Sequence, residues 1–253
     1  MKKMVAITNQ MEKQMNQEKF PELKALIFDV QGTATDFRST LAEEAARLSQ
    51  GRAGDFDWGA FVDEWRGMYR PALDEVLAGT RPWTPVDLIY REALDRLLAK
   101  KGLLFFSETE CAELNFSWQK IRPWPDVVAG LERLKGRYKI ATLSNADVSA
   151  VINISKYGGL PWDAVFAAEM AGTFKPDPRT YHIALKYLGL KPGQVMMVAC
   201  HKYDLRAAKA LGLMTAFVAR PLEFGPEGKV DVSFEEEFDI NATDFLHLAD
   251  QLD

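Results

Sequence analysis

Cysteine is scarce in this chain. Its two residues, Cys111 and Cys200, cannot build a disulfide framework. The expectation is two reduced thiols in a cytoplasmic protein. Histidine is also scarce. His182, His201 and His247 form no HxxxH pair and no CxxC motif is present, so a zinc site is not expected, and no cofactor is expected. Long apolar runs are missing: none reaches the roughly 18 residues a membrane span needs. The opening MKKMVAITNQMEKQMNQEKF has a basic start, but its apolar stretch is only Met4 to Ile7. It reads as an N-terminal extension over residues 1–20, frayed or helical, rather than a secretory signal. Positive charge is not in excess either. Lys and Arg total 31 against 36 Asp and Glu, a net charge of −5. That balance lacks the basic footprint of a nucleic-acid binder. A small anionic ligand would need a local cluster of cations.

What the chain does have is enough length and apolar content for a buried core. It has 253 residues, 47% of them hydrophobic, which fits one large domain or one domain with a smaller companion. KALIF at Lys24 to Phe28 reads as a buried parallel strand ending at Asp29. Leu41 to Leu48 reads as a helix. From Asp57 to Lys120 apolar residues recur at helical spacing (Phe61, Trp65, Met68, Tyr69, then Leu88, Ala93, Leu94, Leu97, Leu98), with a third helix between Glu108 and Gln119. Pro123 and Pro125 break this pattern. Strands and helices then alternate. Strands are expected at Tyr138 to Leu143, Ala164 to Ala167, Val195 to Ala199 and Met214 to Val218. Helices are expected at Asp126 to Leu134, Val148 to Lys156, Arg179 to Leu188 and Asp204 to Leu211. Asp239 and Ile240 close the sheet before a final amphipathic helix to Leu252. The fold class is therefore α/β, a parallel sheet flanked by helices with an inserted helical unit.

In such sheets ligands sit at the carboxyl ends of the strands. Four clusters fall there: Asp29, Ser144 with Asn145, Lys175, and Cys200 to Asp204. FDVQGT, LSN, FKPDPRTY and a last Asp opening a helix resemble, in order, the four motifs of the haloacid dehalogenase superfamily. The resemblance runs from about residue 24 to 250. It implies a Rossmann-like core over residues 21–37 and 124–253, and a helical cap over 38–123. Phosphatases of this superfamily carry an Asp two residues after the nucleophile and an acid early in motif four. Here those positions hold Gln31 and Ala199-Cys200-His201. Magnesium prefers oxygen ligands, so both changes weaken a phosphatase reading. Thr33, Trp65-Arg66, Ser144-Asn145, Lys175, Tyr181 and the phrase KALGLMTAFVARPLEFGP are instead similar to the metal-independent type II 2-haloacid dehalogenases.

The resemblance implies a role for each residue. Asp29 attacks C2 of a 2-substituted acid and forms an ester, and water then frees the 2-hydroxy acid. Lys175 keeps Asp29 ionised. Thr33 and Ser144 orient a carboxylate, and Asn145 orients a group in either step. Asp204 positions or deprotonates the hydrolytic water. Arg66 receives the leaving anion. Tyr181 partners Lys175 or the substrate, and Lys202 adds a cation beside it. Trp65, Tyr69 and Trp83 are candidate pocket walls. Gln31 and His201 depart from the dehalogenase pattern. Gln31 suits an N–H of the substrate, and His201 can supply a proton near neutral pH. The same chemistry on a strained ring amine, azetidine-2-carboxylate, therefore stays open beside haloacid hydrolysis, with a phosphatase and a non-catalytic binding module further behind. The expected partner is a small carboxylate, and a homodimer is the default for a symmetric assembly.

Overall fold

The computed structural model describes residues 19–253. The N-terminal extension falls outside them except for its last two residues. Strand β1, Ala25–Phe28, is buried at every position. It lies between β4, Lys139–Thr142, and β5, Val195–Ala199; β6, Met214–Val218, and β7, Ile240–Ala242, complete a sheet of order β4-β1-β5-β6-β7. All its pairings are parallel. Alternate side chains leave on opposite faces. Leu26, Phe28, Met196 and Val198 enter one apolar cluster, whereas Ala25, Ile27, Val195, Met197 and Ala199 enter another. Coverage on both faces explains the unbroken apolar runs that marked these strands in the sequence.

Between Asp36 and Arg122 the chain builds four α-helices: α1 at Phe37–Ser49, α2 at Trp58–Leu77, α3 at Val86–Lys101 and α4 at Glu108–Phe116. It leaves the sheet through β2, Thr35–Asp36, and returns through β3, Arg122–Pro123, and these two passes pair antiparallel. Each helix starts where a side chain accepts a backbone N–H. Asp36 caps α1 and Asp57 caps α2, and Ser107 with Glu110 forms a capping box on α4. For α3 the capping carboxylate comes from elsewhere. Asp147, just past the LSN motif, accepts from Val86 N at 2.9 Å and Asp87 N at 2.8 Å. The helical unit and the sheet thus meet through a buried carboxylate on a helix N-terminus.

The remaining helices flank the sheet: α5 at Val127–Lys135, α6 at Val148–Gly158, α7 at Pro178–Leu188, α8 at Lys202–Ala210 and α9 at Phe245–Leu252. One expected strand is absent. Ala164 to Ala167 makes only isolated bridges, Ala141 to Ala164 and Ser144 to Ala167. The Thr142 hydroxyl accepts from Phe166 N at 3.0 Å and donates to Phe166 O at 2.9 Å, so a side chain takes the place of a continuous ladder. No helix among the described residues is long and apolar enough to cross a membrane.

Candidate active site

Asp29 follows β1, an interior strand of the sheet, and its N–H donates to Val198 O on β5 at 3.0 Å. The backbone then turns sharply through Gly32, whose φ is +87°. That turn brings Thr33 back onto the carboxylate. Its hydroxyl donates to Asp29 Oδ2 at 2.7 Å and accepts from Cys200 N at 3.0 Å. The carboxylate Thr33 orients is therefore that of Asp29.

Lys175 is fully buried and donates to Asp29 Oδ1 at 3.0 Å. It also bonds Asp204 Oδ2. Asn145 fixes the lysine by its backbone, accepting from Lys175 N at 2.7 Å and donating to Lys175 O at 3.2 Å. The Asn145 amide thus places Lys175, while one N–H of its side chain is left over on a residue that lines the cleft. Tyr181 donates to Asp204 Oδ1 at 2.6 Å. Tyr181 is thus a partner of Asp204, and neither Lys175 nor the cleft receives its hydroxyl.

Asp204 is entirely buried, and its two oxygens face Lys175 and Tyr181. Water reaches neither of them. Burial raises its pKa, against the attraction of Lys175, and the charge of Asp29 adds to the rise. The water-activating role expected of Asp204 is not supported by this geometry. What the carboxylate does is hold the ammonium of Lys175. Burial also raises the Asp29 pKa, but Lys175, His201 and Thr33 outweigh it and hold Asp29 well below the ordinary value. Asp29 is a permanent anion at any working pH.

His201 lies between two carboxylates. Its Nδ1 is 3.1 Å from Asp29 Oδ2, and its Nε2 is 2.9 Å from Glu223 Oε1. Burial opposes a charged ring. The groups around it (Cys200, Glu223 and Asp29) more than offset this, and the His201 pKa is raised well above 6.5. Glu223 is 2% exposed, and although burial raises its carboxyl, His201 brings it below its usual value. Sequence reasoning missed Glu223. It stands in RPLEFGP, a phrase that drew notice only as a whole. Its loop is fixed by Arg220, which donates to Thr33 O at 2.7 Å and forks onto Asp126 at 2.9 and 2.8 Å.

Opposite Asp29 stands Arg66 of α2. Its hydrogen bonds go to neutral groups, Gln31 Oε1 at 3.2 Å and the Tyr90 hydroxyl at 2.5 Å. Its guanidinium lies 4.4 Å from the Tyr69 ring centroid and 5.2 Å from that of Phe37. An arginine held by rings and neutral acceptors keeps its charge for an incoming anion. Asp29, Gln31, Arg66, Tyr69, Ser144, Asn145, His201 and Tyr203 line one narrow cleft. Tyr90 and Tyr203 are further residues the sequence reading did not single out. Trp65 is buried core, donating to Tyr90 O, and Trp83 packs on Phe174 rather than on the cleft.

Lys202 corrects an expectation. Its ammonium turns away from the cleft to Asp231 at 2.7 Å, Ser233 at 2.8 Å and Glu235 at 2.8 Å. It opens α8, and the next residue, Tyr203, takes the cleft position instead.

The arrangement does not fit the magnesium of superfamily phosphatases. A hard cation there needs oxygens, yet the Lys175 ammonium already sits between Asp29 and Asp204. Among the described residues, Cys200, His201 and Glu223 are grouped as metal ligands would be, but His201 and Glu223 already bond each other.

The crystal structure of an L-2-haloacid dehalogenase is 40% identical, with a TM-score of 0.86 over 91% of this chain and 100% of its own. That of a defluorinating L-2-haloacid dehalogenase is 39% identical, with a TM-score of 0.87 over 91% and 95%. The (S)-2-haloacid dehalogenase of Xanthobacter autotrophicus is 29% identical over 203 residues, 78% of this chain and 76% of that protein. Residues 23–212 match the sequence model of haloacid dehalogenase-like hydrolases, and the chain belongs to that family.

Proposed function

We propose that this hydrolase converts a small (S)-2-haloacid into the 2-hydroxy acid and halide, without metal, through an ester on Asp29. The observation that carries the reading is the opposition of two charges across one cleft. Asp29 is a buried anion held by Lys175, Thr33 and His201, and Arg66 is a cation held only by neutral groups. A substrate lying between them has its C2 toward the carboxylate and its halogen toward the guanidinium. Asp29 displaces the halide from the back of C2, so the configuration inverts, and Arg66 takes up the charge that develops on the leaving atom. Lys175 offsets the substrate carboxylate, and Ser144 lines the cleft beside it.

The names of the relatives support a haloacid substrate. Hydrolysis of azetidine-2-carboxylate is the second reading. A protonated His201 beside Asp29 favours it, as a proton donor to the leaving ring nitrogen. The Gln31 oxygen counts against it. That oxygen already accepts from Arg66 and from Tyr90, the latter at 3.0 Å, and so is not free for a ring N–H.

The test is a product screen in EDTA on chloroacetate, (S)-2-chloropropionate, fluoroacetate and azetidine-2-carboxylate. It is joined to a single turnover in heavy-oxygen water. Halide release with the label in Asp29 is expected. Label first in the product, or activity abolished by EDTA, would overturn the reading.

A further inference from the structure

Asp147 stands where a residue would cap its own helix, and it does not. It immediately precedes α6, yet its side chain makes no capping bond there. Glu169 fills that place instead, accepting from Val148 N at 2.6 Å. Both Asp147 oxygens are given to the first two N–H groups of α3, on the helical unit. Pro85, just before α3, supplies no side-chain cap of its own. The arrangement is costly. Asp147 is 6% exposed, and burial pushes its carboxyl above the ordinary value. The two N–H groups offset only part of this, and the nearby charges of Glu169 and Asp87 add to the rise.

One turn into α3 lies Tyr90. Its hydroxyl accepts from Arg66 at 2.5 Å and donates to Gln31 Oε1 at 3.0 Å. Its ring stacks on Tyr69, with centroids 5.1 Å apart, and on Trp118 at 3.8 Å. Tyr69 in turn lies under the Arg66 guanidinium and donates to Asn145 O at 2.8 Å. The loop after β4 therefore grips the helical unit twice, α2 through the Asn145 carbonyl and α3 through the Asp147 carboxylate. Both grips lead to Arg66.

Resting on the reading of Arg66 as the group that receives the halide, we propose that Asp147 is a positioning residue for the first step: it docks α3 on the loop after β4 and so sets where the Arg66 guanidinium stands relative to Asp29. A shift of α3 carries Tyr90 with it, and Arg66 follows. The bonds of Lys175 go to Asp29, Asp204 and Asn145, none of which lies on α3. Loss of the Asp147 contact therefore acts on the leaving group more than on the nucleophile. That difference is measurable. Chloride is smaller than bromide and approaches a cation more closely, so it gains more from a guanidinium in the right place.

Rapid-quench measurement of the halide burst on (S)-2-chloropropionate and (S)-2-bromopropionate reads it. Asp147→Asn keeps the size of the side chain but has one oxygen for two N–H groups. Val86→Pro removes the same contact from the helix side. Proline suits the first position of a helix, and Pro85 already has the extended ψ of 144° that a following proline requires. In each variant the chloride burst is expected to slow about 10-fold and the bromide burst about 3-fold, within the range that a misplaced group costs. The bromide-to-chloride rate ratio thus rises. A merely structural role would lower both bursts by the same factor and leave the ratio alone. Tyr90→Phe, which keeps the Asp147 contact but removes the hydroxyl from Arg66, should raise the ratio in the same direction. Combined with Asp147→Asn it should cost less than the product of the two separate losses, because both act on one group.

Equal slowing of chloride and bromide in Asp147→Asn and Val86→Pro would overturn the assignment, as would wild-type bursts in both or losses that multiply in full with Tyr90→Phe. If one of the two variants fails to fold, the other reads the same ratio. A wild-type burst that Arg66→Ala leaves unchanged would overturn the reading of Arg66 itself.

Discussion

Lys175 and Asp204 form a closed pair beneath Asp29. The ammonium is 1% exposed and the carboxylate not at all, and the one remaining direction for the lysine is Asp29. Two carboxylates share one cation, and only one of them reaches the cleft. Burial opposes the Lys175 charge, but Asp204 and Asp29 raise its pKa above the ordinary value, so the cation is permanent. An ammonium held this way needs no reorganisation when substrate arrives.

It follows that Asp204→Asn is expected to damage the first step and not the second. An amide cannot hold the lysine by charge, so Lys175 shifts from Asp29. Misplacement of a catalytic group by about 1 Å costs on the order of 10²-fold in rate. The chloride burst should slow by that amount, while hydrolysis of ester already formed should change little. Tyr181→Phe should give a milder version of the same effect. A variant that forms the ester at the normal rate but cannot clear it would show that Asp204 is the base after all.

Arg66 should matter to the leaving group in a way a lysine cannot replace. Its guanidinium is stacked between aromatic rings and bonded to Gln31 and Tyr90. Arg66→Ala is expected to lower kcat/KM for chloride release by about 10²- to 10³-fold, the scale of losing one preorganised group at a developing charge. Arg66→Lys should recover little, since an ammonium lacks the planar face for stacking. Chloride-burst kinetics across the three proteins check this, and full recovery by lysine would refute the stacking argument.

The pH dependence divides along the same line. Asp29 is held below the ordinary aspartate value of 3.8, so the alkylation step should stay flat through neutral and mildly acidic pH. Only below that value does protonation remove the nucleophile. Rates of the chloride burst between pH 5 and 9 test this, and an acid limb within that window would contradict the geometry around Asp29.

Much of this was legible in the sequence because the relevant signals are local. Four apolar residues before Asp29 mark a strand buried on both faces, and VMMVA and MTAFV mark two more. Asp29 and the paired Ser144-Asn145 stand at strand ends, where chemistry collects in parallel sheets, and Lys175 comes from the loop before α7. What the sequence could not reveal is where long side chains turn. Lys202 and Tyr203 are neighbours, yet helix geometry sends the lysine to Asp231 and Glu235 and the tyrosine to the cleft. Asp204 looked available because no local feature tells which distant hydroxyl, here Tyr181, will close it off. Glu223 was hidden for the opposite reason. It lies in a loop without periodicity, and its meaning depends on a histidine 22 residues earlier. The strand expected at Ala164 to Ala167 failed because the Thr142 side chain, not a backbone ladder, ties down Phe166.

Gly32→Ala should injure both folding and turnover. The residue has φ +87°, a conformation L side chains rarely adopt, and its new methyl would press on Glu223. A destabilisation of about 1 kcal/mol from backbone strain alone is expected. Turnover should fall as well, because Glu223 must shift and His201, which Glu223 holds against Asp29, shifts with it. Denaturant unfolding and steady-state kinetics measure the two effects, and unchanged turnover would be the contrary result.

The Arg220–Asp126 pair should decide stability at a distance from the chemistry. Arg220 is 6% exposed and Asp126 15%, and the fork between them carries the loop that presents Glu223. Asp126 also accepts from Phe245 N at 2.8 Å, tying α9 to the same carboxylate. Arg220→Met removes the cation and leaves the acid in an apolar setting. The expected cost is about 3 kcal/mol, the low end for breaking a buried pair, because Asp126 keeps some contact with water. The sign of the pH effect is fixed by the direction of the Asp126 shift. Burial raises its pKa, but Arg220 outweighs this and leaves it below 3.8. A carboxyl with a depressed folded pKa contributes stability above its unfolded value, which is lost as pH falls through the folded one. Without Arg220 only backbone N–H groups, Phe245 N among them, oppose the burial effect, and the folded pKa rises above its wild-type value. Stability in Arg220→Met should therefore fall as pH increases through the mildly acidic range, relative to the wild-type protein. Urea unfolding of both proteins between pH 4 and 7 tests this, and a difference in stability that does not change with pH would mean that Arg220 acts by packing and not by charge.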